Sequence, residues 1–395
     1  MIQSTFEIHT KLWMGKQEEE KIGEILSAYS IHHLLILCGQ HSVRASGLLD
    51  RVCRRIEQQK ISYSILEGIE PNPTMKKVQE GIQIVQDKHV DFLLAIGGGS
   101  VIDTAKLIAV SYDYAGDPYD FNRKKVVATH ALPLGVILTI SAAGSEMSTS
   151  CVISNENTKE KRGFNSVYNQ PRFAILNPEL TYSVSPYQTA CGIVDIMMHT
   201  LERYFNPSSP YEFADELALG LLKSVKQAGE KVMENPYDYD ARASLMLASS
   251  FSHNGVTGIG KKTPMPVHQL EHALSGYYHF VAHGAGLAVL FPSWAMLYYQ
   301  QDLAKFSRFA KEVMGVQGKD DEETAYLGIV AIRTYFHRIG MPITWQELGI
   351  EEPQIPKLLD LLFQDREEIP SVKRNMNREV AKQIYLLCLK EDWKK

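Results

Sequence analysis

The sequence predicts two unlike halves, an α/β domain with a parallel sheet over residues 1–185 and an all-helical domain over residues 186–395. Three observations carry this. Short apolar runs alternate with helix-period segments only before Pro186. Helical periodicity dominates after it. The chain has 395 residues, whereas domains usually run to about 100–200 residues.

In the first half, HLLILCG (33–39) reads as a strand ending in glycine, and ASGLLDRVCRRIEQQ (45–59) as a helix. ISYSILEGI (61–69) is a second strand and TMKKVQEGIQIVQDKHV (74–90) a second helix. DFLLAIGGGS (91–100) runs from a strand into a glycine turn, VIDTAKLIAVSYDY (101–114) is helical, and LPLGVILTI (132–140) is another buried strand. This order, with apolar runs too continuous for one wet face, argues for a parallel sheet covered by helices on both sides. The second half reads as helices, among them PYQTACGIVDIMMHTLERYF, EFADELALGLLKSVKQAGEKVM and ARASLMLASSFSHNG, with no strand. The boundary falls at Ser185–Pro186, where proline suits the first turn of a helix.

Composition is that of an ordinary globular protein, 45% hydrophobic and 22% charged, with net charge −5. Without a basic run there is no electrostatic footprint for nucleic acid. No apolar stretch approaches the ~18–20 residues of a membrane span, and MIQSTFEIHTKLWMGKQEEE lacks the layout of a signal peptide. Cys38, Cys53, Cys151, Cys191 and Cys388 are scattered and form no CxxC, which reads as reduced thiols in a cytoplasmic protein.

AIGGGSVIDTAK (95–106) sits between strand and helix. Gly97, Gly98 and Gly99 let a backbone approach a ligand, and the helix start suits a phosphate. Ser100 can cap the helix or donate to that phosphate. The dinucleotide fingerprint GxGxxG is incomplete, since Ile102 stands at its third glycine. The turn alone admits a nucleotide site or a plain strand-to-helix turn. Asp103 reads as a charge at a helix N-terminus or as a ligand contact.

Val267–Ala288 holds His268, His272, His279 and His283, where 13 histidines spread over the chain would put fewer than one. Asp195 and His199 lie i, i+4 on one predicted helix, and His268 and His272 share that spacing on another. One carboxylate with several imidazoles is a hard-to-borderline donor set, suited to iron(II), zinc or manganese. The bland reading is a polar helix face with a loop.

EPNP (70–73), AIGGGSVIDTAKLIA (95–109), SAAGSEM (141–147), AILNPELTYSVSP (174–186), GIVDIMMHTLERY (192–204), SHNGVTGIG (252–260), HQLEHALSG (268–276), HGAGLAVLFPSW (283–294) and IGMPITWQELGI (339–350) together resemble the iron-containing (group III) alcohol dehydrogenase family. The look is closest to its NADPH-dependent, butanol-dehydrogenase-like branch. The resemblance covers most of the chain. It implies a dehydroquinate-synthase-like fold, with a dinucleotide-binding α/β domain facing a helical metal domain across a cleft. It implies metal ligation by Asp195, His199, His268 and His283, with His272 near the metal as a proton relay or a substrate contact. His279 matches no family ligand and reads as a loop residue.

For the nucleotide, the resemblance points to Gly98, Gly99, Ser100 and Asp103 at the pyrophosphate, with Asn72, Thr139, Ser141, Lys161 and Leu180 lining it. Each of the last five has a bland alternative as a turn, strand, loop or core residue. Gly39 stands where NAD-preferring members place an aspartate. A carboxylate there would accept from the ribose 2′-OH and repel a 2′-phosphate. Gly39 leaves room, and Gln40, His41, Ser42 and Arg44 could then reach that phosphate, so NADP(H) is expected over NAD(H).

The chain departs from the family in other places. PMPVH (264–268) precedes the first cleft histidine, His272 and His283 are eleven residues apart, one more than the family spacing, and Asn177 stands where an aspartate is common. The expected reaction is metal-assisted hydride transfer with a small aliphatic alcohol or aldehyde. The expected assembly is a homodimer or higher homo-oligomer. The rival readings are a glycerol-dehydrogenase-like polyol oxidoreductase, other chemistry on the same fold, and a non-enzymatic metal- and nucleotide-binding protein.

Overall fold

The computed structural model describes residues 5–206 and 211–390. These form two compact units, Glu7–Val184 and a second made of the residues from Ser185 onward together with the N-terminal residues through Phe6.

The first unit is built on a six-stranded parallel sheet of β1 (Lys11–Met14), β2 (His33–Gly39), β3 (Ser62–Ile69), β4 (Phe92–Gly97), β5 (Leu134–Leu138) and β8 (Phe173–Leu176), in the order β1-β8-β5-β4-β2-β3. Its helices are α1 (Ile22–Ser27), α2 (Ser42–Ala45), α3 (Leu48–Gln58), α4 (Met75–Lys88), α5 (Gly99–Ser111) and α6 (Tyr119–Asn122). The central strands β4 and β5 are buried along their length, and β2 everywhere but its two end residues, as expected of continuous apolar runs covered on both faces. The strand reading missed the outer β1 and β8, and an antiparallel hairpin of β6 (Ser150–Asn155) with β7 (Glu160–Asn165). These segments are polar or, like the four-residue β8, too short to stand out as strands.

The connection order places a useful feature. From β2 the chain moves to β3 on one side, then returns to β4 on the other side of β2. The winding reverses between β2 and β4, and ligands of open α/β sheets bind at the strand ends beside such a reversal. Gly39 ends β2 and Gly97 ends β4.

The second unit contains α7 (Pro186–Tyr204), α8 (Glu212–Glu234), α9 (Tyr239–His253), α10 (Pro266–Tyr277), α11 (His283–Tyr298), α12 (Leu303–Phe309), α13 (Asp321–Arg338), α14 (Ile355–Leu362) and α15 (Arg378–Leu387). Helix α7 opens as its sequence suggests: the Ser185 hydroxyl accepts from Gln188 N at 3.2 Å and Pro186 takes the first turn. The expectation of no strand here needs correction. β9 (Glu368–Ile369) and β10 (Met376–Asn377) form a two-residue antiparallel ladder, too short to leave a period in the sequence. Helices α7 and α11 are buried almost all round. No helix among the described residues is long and apolar enough to cross a membrane.

Candidate functional site

Helix α7 carries Asp195 and His199, both buried, one turn apart on the same face. His268 lies in the first turn of α10, and His283 is the first residue of α11. Ligand atoms of Asp195, His199 and His268 lie within 4.8 Å of one another. Asp195 Oδ1 is the hub: His199 Nδ1 is 3.3 Å from it, His268 Nε2 3.6 Å and His283 Nε2 3.7 Å. In the loop before α11, between His272 and His283, Val281 turns inward and its N–H bonds to Tyr278 O at 2.9 Å.

Whether these residues fit a metal can be judged from the protein alone. Asp195 Oδ1, His199 Nδ1 and His268 Nε2 are buried and have no hydrogen-bond partner among the described residues. Buried polar atoms are normally paired, and a converging unpaired set calls for an ion or water. A carboxylate with imidazoles suits a divalent first-row cation, so the residues fit.

Two outer carboxylates complete the set. Glu202, one turn past His199 on α7, accepts from His268 Nδ1 and also from Val267 N at 2.6 Å and His268 N at 3.2 Å. Glu271 accepts from His283 Nδ1. A carboxylate on Nδ1 holds the proton there and leaves Nε2 as the donor atom, the usual support of a metal-ligating histidine. Burial opposes charging of His268, yet Glu202 and Asp195 outweigh it and hold its pKa up at about 9. Burial, with His253 and His268 alongside, pushes His199 well below the ordinary value.

The C-terminal end of α7 is tied down firmly. Arg203 donates to His199 O and to Ser252 O at 3.1 Å, Lys261 to Arg203 O at 3.0 Å, and Lys305 to Tyr204 O at 2.7 Å. Cations on the last carbonyls of a helix satisfy its open acceptors and its dipole. Helices α7 and α11 also touch closely. A Cβ on Gly284 would lie 2.2 Å from the carbonyl oxygen of Cys191, so position 284 has room for hydrogen only.

His272 lies beside this group. Its ring centroid is 5.7 Å from that of His283, and one of its ring nitrogens lies within 4.8 Å of the ligand atoms of Glu271 and His283. His279 is exposed. Sequence reasoning missed Glu202, Glu271 and His253. A signal existed for Glu202, which falls i+7 from Asp195 and i+3 from His199, and for Glu271, which sits inside HQLEH. His253 packs edge-on to His199 with ring centroids 3.9 Å apart, and nothing in its local sequence announces that.

The residues expected at the nucleotide all lie in the first unit. Gly98 caps α5, whose helix begins at Gly99 with Ser100 in its first turn. A Cβ on Gly98 would lie 2.3 Å from Ile140 Cγ2, so packing alone already demands a glycine there. Thr139 N donates to Gly97 O at 3.1 Å, and Ser141 follows two residues on. Asn72 adopts a left-handed φ of 56°, and its Oδ1 accepts from Lys161 Nζ at 3.0 Å. Leu180 packs against the core of the first unit. The Asp103 carboxylate is engaged internally, accepting from Ser145 Oγ and from Val152 N at 2.8 Å. Ser145 in turn accepts from the fully buried Lys106 at 2.8 Å. Asn177 Nδ2 donates to the buried Glu19 at 2.9 Å, which an aspartate could not do.

At the end of β2, Ser42 opens the single turn α2, Arg44 Nε pairs with Glu67 Oε1 at 2.6 Å, and Gln40 Nε2 donates to Glu70 Oε1 at 2.9 Å. A Cβ on Gly39 would meet Ile69 O at an ordinary 3.6 Å.

A glycine turn at the winding reversal of an α/β unit, with a carboxylate–imidazole set that fits a metal on a helical unit, suits the class of metal-binding oxidoreductases. The description "Iron-containing alcohol dehydrogenase" matches residues 9–178, and "Fe-containing alcohol dehydrogenase family, C-terminal" matches residues 189–387. The chain belongs to the iron-containing alcohol dehydrogenase family, in its butanol-dehydrogenase-like branch. It is 39% identical to NADH-dependent butanol dehydrogenase A of Clostridium acetobutylicum, over 90% of this chain and 91% of that one. It is 33% identical to the NADPH-dependent aldehyde reductase YqhD of Escherichia coli, over 89% and 91% respectively. The crystal structure of NADH-dependent butanol dehydrogenase A from Thermotoga maritima superposes with a TM-score of 0.94 at 34% identity, covering 99% of both chains.

Proposed function

We propose that the protein is a metal-dependent alcohol dehydrogenase/aldehyde reductase that exchanges hydride between NADP(H) and a small aliphatic alcohol or aldehyde. The observation that carries this is the convergence of three buried, unpartnered donor atoms, from Asp195, His199 and His268. With His283 they are the residues that would hold iron(II), with zinc and manganese as competitors for the same donors. A divalent metal there supplies Lewis acidity toward the alcohol or carbonyl oxygen, and the nicotinamide ring gives or takes the hydride.

The chain's own residues do the rest. Asp195 brings the negative charge of the donor set. Glu202 and Glu271 keep the proton on Nδ1 of His268 and His283. His272 accepts the alcohol proton at a ring nitrogen and passes it outward. Gly98, Gly99 and Ser100 receive the pyrophosphate, with Asn72, Thr139, Ser141, Lys161 and Leu180 along the nucleotide. Asp103 acts indirectly, by bracing Ser145. Gly39 and Ser42 face the adenosine ribose, and the missing carboxylate at position 39 supports NADP(H).

A second reading, NADH, has its own observation: Glu67 and Glu70 engage Arg44 and Gln40 beside Gly39, and carboxylates there would oppose a 2′-phosphate. We place the enzyme in the cytoplasm as a homodimer or higher homo-oligomer.

The test is nicotinamide absorbance after metal removal, with butyraldehyde and either NADPH or NADH, restoring iron(II), zinc or manganese singly. Metal-dependent NADPH consumption is expected. Silence with every metal and both nucleotides would sink the proposal, and preference for glycerol would move it to the polyol branch.

A further inference from the structure

Two of the metal-facing imidazoles have an outer partner that fixes the ring: Glu202 for His268 and Glu271 for His283. His199 has no such carboxylate among the described residues: the Asp195 carboxylate, 3.3 Å from its Nδ1, is on the inner, metal side of the ring. A histidine ring turns about a broad terminal torsion, so something else must hold it. Two rings do. His268 lies 4.5 Å away, tilted by 30°, and His253 lies 3.9 Å away at 85°.

His253 is the last residue of α9, and the backbone behind it is locked to α7. One guanidinium, that of Arg203, donates both to His199 O and to Ser252 O, the residue before His253. The spacing between the two histidines is therefore set by the main chain of two helices and not by a surface side chain.

We propose that His253 is the positioning residue for His199, filling for this ligand the place that Glu202 and Glu271 fill for the others. The inference rests on the metal reading above. Its chemistry differs from that of a carboxylate, since an imidazole carries no negative charge when neutral. His253 orients His199 without adding to its basicity. Its removal lets the His199 ring rotate away from Asp195, and the metal then loses one well-placed donor.

The test uses Co²⁺ as the probe, read through its visible absorption and through competition with a chromophoric chelator. The wild-type protein, His253→Ala and His253→Leu are compared, with far-UV circular dichroism as the fold check. Both variants are expected to bind Co²⁺ about tenfold or more weakly, as for loss of an outer-sphere partner, and to show a shifted or weakened absorption band. Leucine fills most of the space without a ring, so it keeps the fold measurable if the alanine variant does not fold. Co²⁺ bound by the wild type and by a folded variant within about twofold, with one and the same spectrum, overturns the role of His253 while leaving the metal reading intact. A wild-type protein that takes up no Co²⁺ overturns the metal reading, and the role of His253 with it.

Discussion

Glu202 on α7 takes three donors from the start of α10: the Nδ1–H of His268, the His268 N–H and the Val267 N–H. One carboxylate thus caps a helix and orients the ring of His268, a proposed metal ligand. Glu202→Ala is expected to weaken metal binding by about 10–100-fold. Glu202→Gln should fall between, because an amide can still accept from Nδ1–H. Metal content after dialysis against a chelator checks both.

The four inner donors should differ from their neighbour. His268→Ala and His283→Ala are expected to be purified with little metal. His272→Ala should retain full metal content while kcat falls and the pH profile of kcat changes, by about 10²–10⁴-fold for loss of a proton-transfer group. Unchanged activity and profile in His272→Ala would remove its proton role.

Stability of the metal-free protein should peak near neutral pH. His268 is held up at about 9, so its charged form stabilises the fold fully below the unfolded value of about 6.5 and that contribution is lost as pH rises through 9. His199 is pushed the other way by burial, so stability also falls as pH drops below about 6.5, where the unfolded ring takes up a proton that the folded ring refuses. Thermal melts of chelator-treated protein across this range should show a maximum near the lower edge of the His268 window. Glu202→Ala should flatten the alkaline limb.

Gly39→Asp is expected to lower the ratio of kcat/KM for NADPH over NADH by about tenfold or more, because it places a fixed negative charge beside the 2′ position. The ordinary 3.6 Å clearance at that Cβ makes the substitution a test of charge and not of space. An unchanged ratio would mean that position 39 does not face the ribose.

Lys106 is fully buried and donates to Ser145 Oγ, Ser148 O and Ser150 O at 2.7–3.1 Å. Burial lowers its pKa and raises that of Asp103. Lys106→Met removes the cation and strands these acceptors, so a loss of about 3–5 kcal/mol is expected, measurable by urea unfolding. Weaker NADPH binding should accompany it if the 139–149 segment lines the nucleotide.

Much of the fold was legible where burial is two-sided. HLLILCG and DFLLAIG are apolar without interruption, and only a covered parallel strand or a short core helix reads that way. Among the strands that escaped, Glu160–Asn165 is polar and owes its pairing to a neighbour fifteen residues or fewer away, while Lys11–Met14 and Phe173–Leu176 are only four residues long and pair across most of the first unit. At the site, repeated i, i+4 spacing exposed Asp195, His199, His268 and His272, because helical neighbours share a face. His253 escaped because its relation to His199 is made by the packing of α9 on α7, and no sequence period connects residues on different helices.

The close contact of Gly284 with the Cys191 carbonyl carries a consequence for anyone who would reshape this protein. Cys191 lies one turn before Asp195, and Gly284 directly follows His283. The gap between two donors on different helices is thus gauged by a spacer one hydrogen atom thick. A saturation library at position 284 should return only glycine among variants that hold cobalt, because any larger side chain meets the Cys191 carbonyl. Attempts to widen the specificity of the enzyme will find this silent position as restrictive as the donors themselves.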